Sequence, residues 1–310
     1  MHELILHHYP TSPFAEKARL LLGFKQLSWR SVMIPPVMPK PDLTALTGGY
    51  RKTPVLQIGA DIYCDTALIA RRLEAEKATP ALFPEGQGFN VATLAQWADA
   101  VLFQHAVSLV FAPESMAVRF AKVPPEFAKA FAADRAALFS GGTASRLPLE
   151  QARHQWPVIM GRLQQQLRSG GDFLFGEASI ADIALAHPLW FLRGTPVTAP
   201  LVDDYPEVAA WLARVLDFGH GSLSEMSSEQ AIAVAREAAP AALPDEDFID
   251  ANGFKPGQAV SIAAVDYGVD PVQGELLFAG REELILRRED ERAGIVHVHF
   301  PRLGFRIEAH

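Results

Sequence analysis

The stretch Leu4-Ile5-Leu6-His7-His8-Tyr9-Pro10-Thr11-Ser12-Pro13-Phe14-Ala15-Glu16-Lys17-Ala18-Arg19 passes from one kind of local structure to another within a few residues. Leu4 to His8 is an apolar run of strand length, and the prolines that bracket Thr11-Ser12 break it. From Phe14 to Phe24 the residues Ala18, Leu21 and Leu22 fall on one face of a helix. Pro13 suits the first helical turn, where a missing N–H forfeits no hydrogen bond, and this makes Ser12 the N-cap. A serine is therefore predicted beside unpaired N–H groups at the positive end of a helix dipole.

Working outward, Trp29 to Ile34 reads as a second strand, and Pro35, Pro36, Pro39 and Pro41 predict an exposed loop without regular structure. Val55–Ile58 and Ile62–Cys64 form a hairpin around Gly59-Ala60-Asp61. Asp65-Thr66 then opens a helix to about Lys77, with Leu68, Ile69 and Leu73 on one face. The order β-α-β-β-β-α is that of a thioredoxin-like domain. After a linker from Pro80 to Gly88 the pattern is helical from Asn90 to about Leu216, with Val91, Leu94, Ala98, Val101, Leu102, His105 and Leu109 recurring at three and four. Turns are expected at Ala117–Pro125 and Ser140–Pro148, and Ser179 with Asp182 has the spacing of a capping box.

Beyond Phe218, Gly219-His220-Gly221-Ser222 is a break and Ser227–Ala239 a linking helix. Alternation at Val260/Ile262, Leu284/Leu286, Val296/Val298/Phe300 and Leu303/Phe305/Ile307 then predicts about five short strands, expected as a small antiparallel barrel. The expected division is an α/β thioredoxin-like domain at 1–84, an all-α bundle at 85–218, and a linking helix with a small all-β, barrel-like domain at 219–310.

At 310 residues, 49% of them hydrophobic and 21% charged, the chain has ordinary globular composition and more length than one core needs. A net charge of -8 and a pI near 5.7 disfavour nucleic acid as a partner. One cysteine, Cys64, excludes an internal disulfide and a thiolate metal cluster, and fits a reducing compartment. The N-terminus lacks the basic start and long apolar core of a signal peptide, so the expectation is a soluble, cytoplasmic protein without a membrane partner.

The run Ser12-Pro13-Phe14-Ala15-Glu16-Lys17-Ala18-Arg19 resembles the active-site segment of glutathione transferases, in particular the serine-type and omega-type enzymes. Thr53-Pro54-Val55-Leu56 resembles the family's cis-proline strand start, and Asp65-Thr66 its acidic-hydroxyl pair, usually glutamate-serine. Asp204-Tyr205-Pro206-Glu207-Val208 through Trp211, with the Ser179–Asp182 box, resembles structural features of its helical domain, so the likeness spans roughly residues 2–218. The resemblance implies that Ser12 stabilises the thiolate of glutathione and that this thiolate attacks a small hydrophobic electrophile. It implies further that Phe14, Lys52, Thr53, Pro54, Asp65 and Thr66 hold glutathione as co-substrate without a metal. Thr53 would offer its backbone to the cysteinyl unit, Asp65 and Thr66 would hold the γ-glutamyl end, and Lys52 would meet a carboxylate. A homodimer is part of the same implication.

The chemistry asks for such groups, because a free thiol of pKa ~8.5 is mostly protonated at neutral pH and needs a hydroxyl donor and a helix N-terminus to become nucleophilic. Trp97, Phe103, His105 and Phe111 are the candidate wall of an electrophile pocket, though such residues are more often plain core and name no substrate. Gly48-Gly49-Tyr50-Arg51 departs from the family's usual approach to the proline, and the β extension has no counterpart in common transferases. The alternative function is a non-catalytic binding module that uses the C-terminal β domain. A thiol-disulfide oxidoreductase needs a cysteine at position 12, where serine stands. Cys64 reads as a buried apolar residue, His105 as a core histidine, and His297 with His299 as exposed strand histidines rather than metal ligands.

Overall fold

The computed structural model describes residues 3–310. β1 (Leu4–His8) ends at His8 and α1 (Pro13–Phe24) begins at Pro13, where the two-proline break predicts them. β1 is buried along its length because β2 (Ser28–Met33) pairs parallel on one side and β3 (Val55–Ile58) antiparallel on the other. Between β2 and β3 lies α2 (Pro41–Thr47), a helix inside the segment read as loop. Pro41 stands in its first turn, where proline needs no donor, so the residue that argued against regular structure starts it. β3 turns through Gly59 and Ala60 into β4 (Asp61–Cys64), and α3 (Thr66–Glu76) follows under an Asp65 cap.

The helical region comprises α4 (Gly88–Trp97), α5 (Phe103–Val110), α6 (Pro113–Arg119), α7 (Pro125–Leu138), α8 (Leu149–Gly170), α9 (Ile180–Arg193), α10 (Pro200–Asp203) and α11 (Pro206–Leu216). A π-helical turn, Ala98–Leu102, joins α4 to α5 and shifts the phase of the apolar stripe. Val101, expected on that stripe, is 41% exposed, while Ala98 and Leu102 are buried. α6 continues through Arg119, so the first expected turn begins later than the sequence suggested. α9 is buried along almost its whole length among α1, α4, α5 and α11. Its capping box forms, and Asp182 also accepts from Leu174 N at 3.0 Å and Trp211 Nε1 at 2.9 Å, which explains an acid in a dry position.

The C-terminal part joins the first sheet. β5 (Ser222–Glu225) adds parallel to β2, α12 (Ser228–Glu237) packs against α2, and β6 (Gln258–Ala264), β7 (Val272–Ala279), β8 (Glu283–Asp290), β9 (Gly294–Pro301) and β10 (Phe305–Ala309) follow. β9 pairs parallel with β4, giving one ten-stranded sheet in the order β10-β6-β7-β8-β9-β4-β3-β1-β2-β5. The expected strands therefore form a sheet that is open, because β9 uses its free side on β4 instead of closing a barrel. Val55, Ile62 and Cys64 share one apolar core with Ile262, Leu284 and Val298. Glycine is required where the parts touch: a Cβ on Gly23 of α1 would lie 2.0 Å from the Gly219 carbonyl oxygen.

His299 of β9 is buried at this seam, 3.0 Å from Asp61 of β4 and 3.3 Å from Glu283, and stacks on Tyr63. It is thus an ion-pair partner and not the exposed histidine the alternation suggested; His297 is half-buried, 3.8 Å from the same carboxylate. Burial opposes charge on His299, but the hydrogen bonds to Asp61 and Glu283 outweigh it and raise its pKa above 6.5. Burial likewise opposes charge on Asp61, and the His299 bond and the Ala241 N–H reverse this, lowering it below 3.8. A raised histidine contributes its full stabilisation below its unfolded pKa and loses it as pH rises through the folded one; a lowered aspartate contributes above its unfolded pKa. The destabilisation caused by His299→Gln, measured by urea unfolding, is expected to be greatest between pH 3.8 and 6.5 and to shrink as the solution is made alkaline.

Candidate active site

Ser12 caps α1 in an extended conformation, buried, with its Oγ accepting from Ala15 N at 3.2 Å. A hydroxyl that accepts in this way keeps its own proton to donate. One turn later the buried Lys17 donates to Asp99 at 2.5 Å and to Thr66 Oγ1 at 3.2 Å, and Asp99 meets His187 Nε2 at 3.0 Å. Burial holds the His187 pKa below 6.5 against the pull of Asp99. This chain of polar groups links α1, α3, the π-helical turn and α9, and it turns Thr66 toward the cavity beside it.

Asp65 has φ +75°, uncommon for a residue with a Cβ, and its carboxylate accepts from Ala67 N at 2.9 Å. The Thr53–Pro54 bond is cis, as the likeness of Thr53-Pro54-Val55-Leu56 implies. Lys40, inside the proline-rich segment between Pro39 and Pro41, is buried and donates to Thr53 Oγ1 at 3.0 Å. Burial, then the neighbouring Arg135, lowers its pKa to about 8.

Two adjoining cavities meet at these residues. The larger, about 650 Å³, is lined by Thr53, Pro54, Asp65, Thr66 and Lys17; the smaller, about 280 Å³, by Ser12, Tyr9, Lys40 and a set of phenylalanines. Phe14, Lys52, Thr53 and Tyr267 line both. Ser12, Phe14, Lys52, Thr53, Pro54, Asp65 and Thr66 therefore each line one cavity or the other. Of the predicted electrophile wall, Phe103 and Phe111 line the smaller cavity, whereas Trp97 packs against the main core. His105 is a core histidine bonded to the Val101 carbonyl and Gln155. Cys64 is buried, and burial pushes its thiol pKa well up, away from reactivity. His8 is sealed beneath Arg19 and Ser31. Among the described residues no cluster of three or more His, Cys, Asp or Glu has the geometry to hold a metal.

The C-terminal extension supplies part of the wall. Asp266 pairs with Lys52 at 2.6 Å, and Lys52 lies 4.2 Å from the centre of the Tyr267 ring. This loop is strapped to the end of α7 by Gly268 N to the Leu138 carbonyl, and to the segment after α7 by Thr143 N to the Val265 carbonyl and Ala144 N to the Asp266 carbonyl. Gly142 permits the strap, since a Cβ there would lie 1.7 Å from the Asp266 oxygen. Sequence reasoning missed Lys40, Asp99, Asp266 and Tyr267, which lie far from the motifs along the chain.

Comparison with known families and solved structures bears on the fold that carries these cavities. The family model described as "Glutathione S-transferase, N-terminal domain" matches residues 6–81, and "Glutathione S-transferase, C-terminal domain" matches residues 155–214. A GST-like protein from Pseudomonas syringae of known structure is 65% identical over 100% of both chains, with a TM-score of 0.86. The chain belongs to the glutathione S-transferase family. A glutathione S-transferase from Rhodospirillum rubrum shares the fold at 21% identity, covering 69% of this chain and 87% of its own, with a TM-score of 0.51. Poplar glutathione transferase F1 does so at 14% identity, covering 70% and 94%, with a TM-score of 0.52. A search of curated proteins finds no match. In this transferase-family chain everything after residue 214, including the loop at 265–267, lies outside both family models.

Lys17→Met would leave Asp99 without its cation. A loss of about 2–3 kcal/mol is expected in urea unfolding, less than for a fully dry pair because the Asp99 side chain stays 22% exposed. Adding Asp99→Leu to the same chain is expected to recover part of that loss.

Proposed function

We propose that this chain is a glutathione transferase in which the Ser12 hydroxyl donates to the thiolate of glutathione and a small electrophile enters from the aromatic cavity. The observation that carries the reading is the meeting of the two cavities at Thr53, beside the cis proline, with Ser12 on one side and the Asp65–Thr66 pair on the other. Asp65 would take the γ-glutamyl ammonium, while the Thr66 hydroxyl, held by Lys17, and the amides opening α3 would take the adjoining carboxylate. Thr53 would pair its backbone with the cysteinyl unit, which directs the sulfur toward the α1 N-terminus. Lys40, with no carboxylate partner among the described residues, would meet the glycyl carboxylate together with Lys52.

The thiol proton passes to water on binding, and the partial positive charge of the helix end and the Ser12 donor hold the resulting anion. The sulfur lone pair then forms the bond to the electrophilic carbon while the leaving group departs with its electrons. Phe14 and Tyr267 flank both cavities, so they would screen that anion from water. The extension belongs to this unit in the proposal, since Asp266, Tyr267 and Phe305 line the larger cavity. A cytoplasmic homodimer, with domains at 1–84, 85–218 and 219–310, is part of the same reading.

Ser12→Ala is expected to lower kcat/KM with glutathione and chlorodinitrobenzene by roughly 10- to 100-fold, the effect of one hydrogen bond to a charged group. It should also raise the pH at which bound thiolate absorbance appears. Asp65→Ala is expected to weaken glutathione binding in calorimetry by a similar factor. Unchanged turnover in the first variant removes Ser12 from the mechanism, and unchanged affinity in the second removes Asp65 from the thiol site.

A further inference from the structure

The smaller cavity is unusual in its charge. Lys40, Arg51, Lys52, Arg119 and Arg135 all line it, no aspartate or glutamate does, and the chain as a whole carries a net charge of -8. Most of these cations already have partners. Arg51 and Arg135 share Asp134, at 2.8 and 2.6 Å, and Lys52 is held by Asp266. Lys40 lies against Thr53, on the thiol side of the cavity.

Arg119, at the end of α6, is different. Among the described residues it has no ion pair, its Nη1 is sealed from solvent without a hydrogen-bond acceptor, and its guanidinium lies 4.6 Å from the centre of the Phe191 ring. Burial lowers its pKa, the mark of a cation without a counter-charge. A guanidinium has five donors in a rigid planar fork; with Nη1 sealed beside Gly194, an acceptor entering the cavity would meet Nε and Nη2, for which no hydrogen bond is found among the described residues. A carboxylate matches the fork with two parallel hydrogen bonds. The remaining wall is aromatic: Phe103, Phe111, Phe131 and Phe191 offer faces and edges to a flat ring. A volume of about 280 Å³ is at the small end for ligand pockets and suits one ring with short substituents.

We propose that the electrophile is a one-ring aromatic acid whose carboxylate is held by Arg119 and whose ring packs among these phenylalanines. This rests on the transferase reading above and narrows its substrate class. With a halogenated ring, the thiolate sulfur bonds to the carbon bearing the halogen, the carbon–halogen bond breaks, and halide leaves with the bonding pair. The aromatic acid is conjugated without any oxidant or reductant.

The test is calorimetric titration, without thiol, of the full chain with chloronitrobenzoate and with its uncharged methyl ester, repeated on Arg119→Met and Arg119→Lys. The acid should bind the unsubstituted protein roughly 10- to 100-fold more tightly than the ester, as for a hydrogen-bonded charge. Arg119→Met should abolish that preference and Arg119→Lys should keep part of it. Equal affinities for acid and ester in the unsubstituted protein overturn the inference whatever the variants do, and so does a preference that survives Arg119→Met. Glutathione turnover with chlorodinitrobenzene separates the two readings. Turnover without acid preference leaves the transferase standing and the anion site refuted; an Arg119-dependent preference without glutathione binding or turnover does the reverse.

Discussion

Parallel pairing of β9 with β4 determines where everything after α12 can go. In a thioredoxin-like sheet without the extension, β4 would end as an open edge, with a row of unpaired N–H and C=O groups. Here Asp61, Ile62 and Tyr63 stand opposite His297, Val298 and His299, and the apolar faces of the two halves merge into one core. The Asp61–His299 contact adds charge to that register, because a one-residue slip would turn His299 to the other face of the sheet. Once β9 is set, the meander of β6 to β8 and β10 is set with it.

The site inherits its shape from this pairing. The turn between β6 and β7 reaches the end of α7, is strapped there by backbone hydrogen bonds, and delivers Asp266 and Tyr267 to Lys52. An appended unit loosely linked to the thioredoxin-like and helical parts would leave Lys52 free in solvent. In this chain the extension forms part of the wall of the larger cavity and one corner of the smaller.

Charge is distributed unevenly across the molecule. The buried Lys17–Asp99–His187 chain closes on itself and orients Thr66, so its charges are compensated locally. The aromatic cavity concentrates cations whose partners are only partly supplied by Asp134 and Asp266. An overall acidic chain with a cationic, aromatic pocket favours anions inside that pocket over anions on its surface.

Local elements with a mechanism behind them are legible in the amino-acid order alone. Ser12 and Pro13 place a helix start, Ser179 and Asp182 place another, and Asp65-Thr66 opens α3 because capping is a matter of a few adjacent residues. The resemblance carried by Ser12-Pro13-Phe14, Thr53-Pro54 and Asp65-Thr66 extended that to a fold and to a set of candidate residues, all of which line the cavities. Val101 was misplaced because a single π-helical turn changes helical phase without a sequence mark, and α2 was missed because proline was read as a breaker where it starts a helix. Only the tertiary structure decided that the C-terminal strands continue the first sheet, that His299 is buried against Asp61, and that Lys40 and Arg119 face the same cavity as Ser12. Those facts depend on contacts between residues tens to hundreds of positions apart, and hydrophobic periodicity reports which face of an element is buried but not which partner buries it.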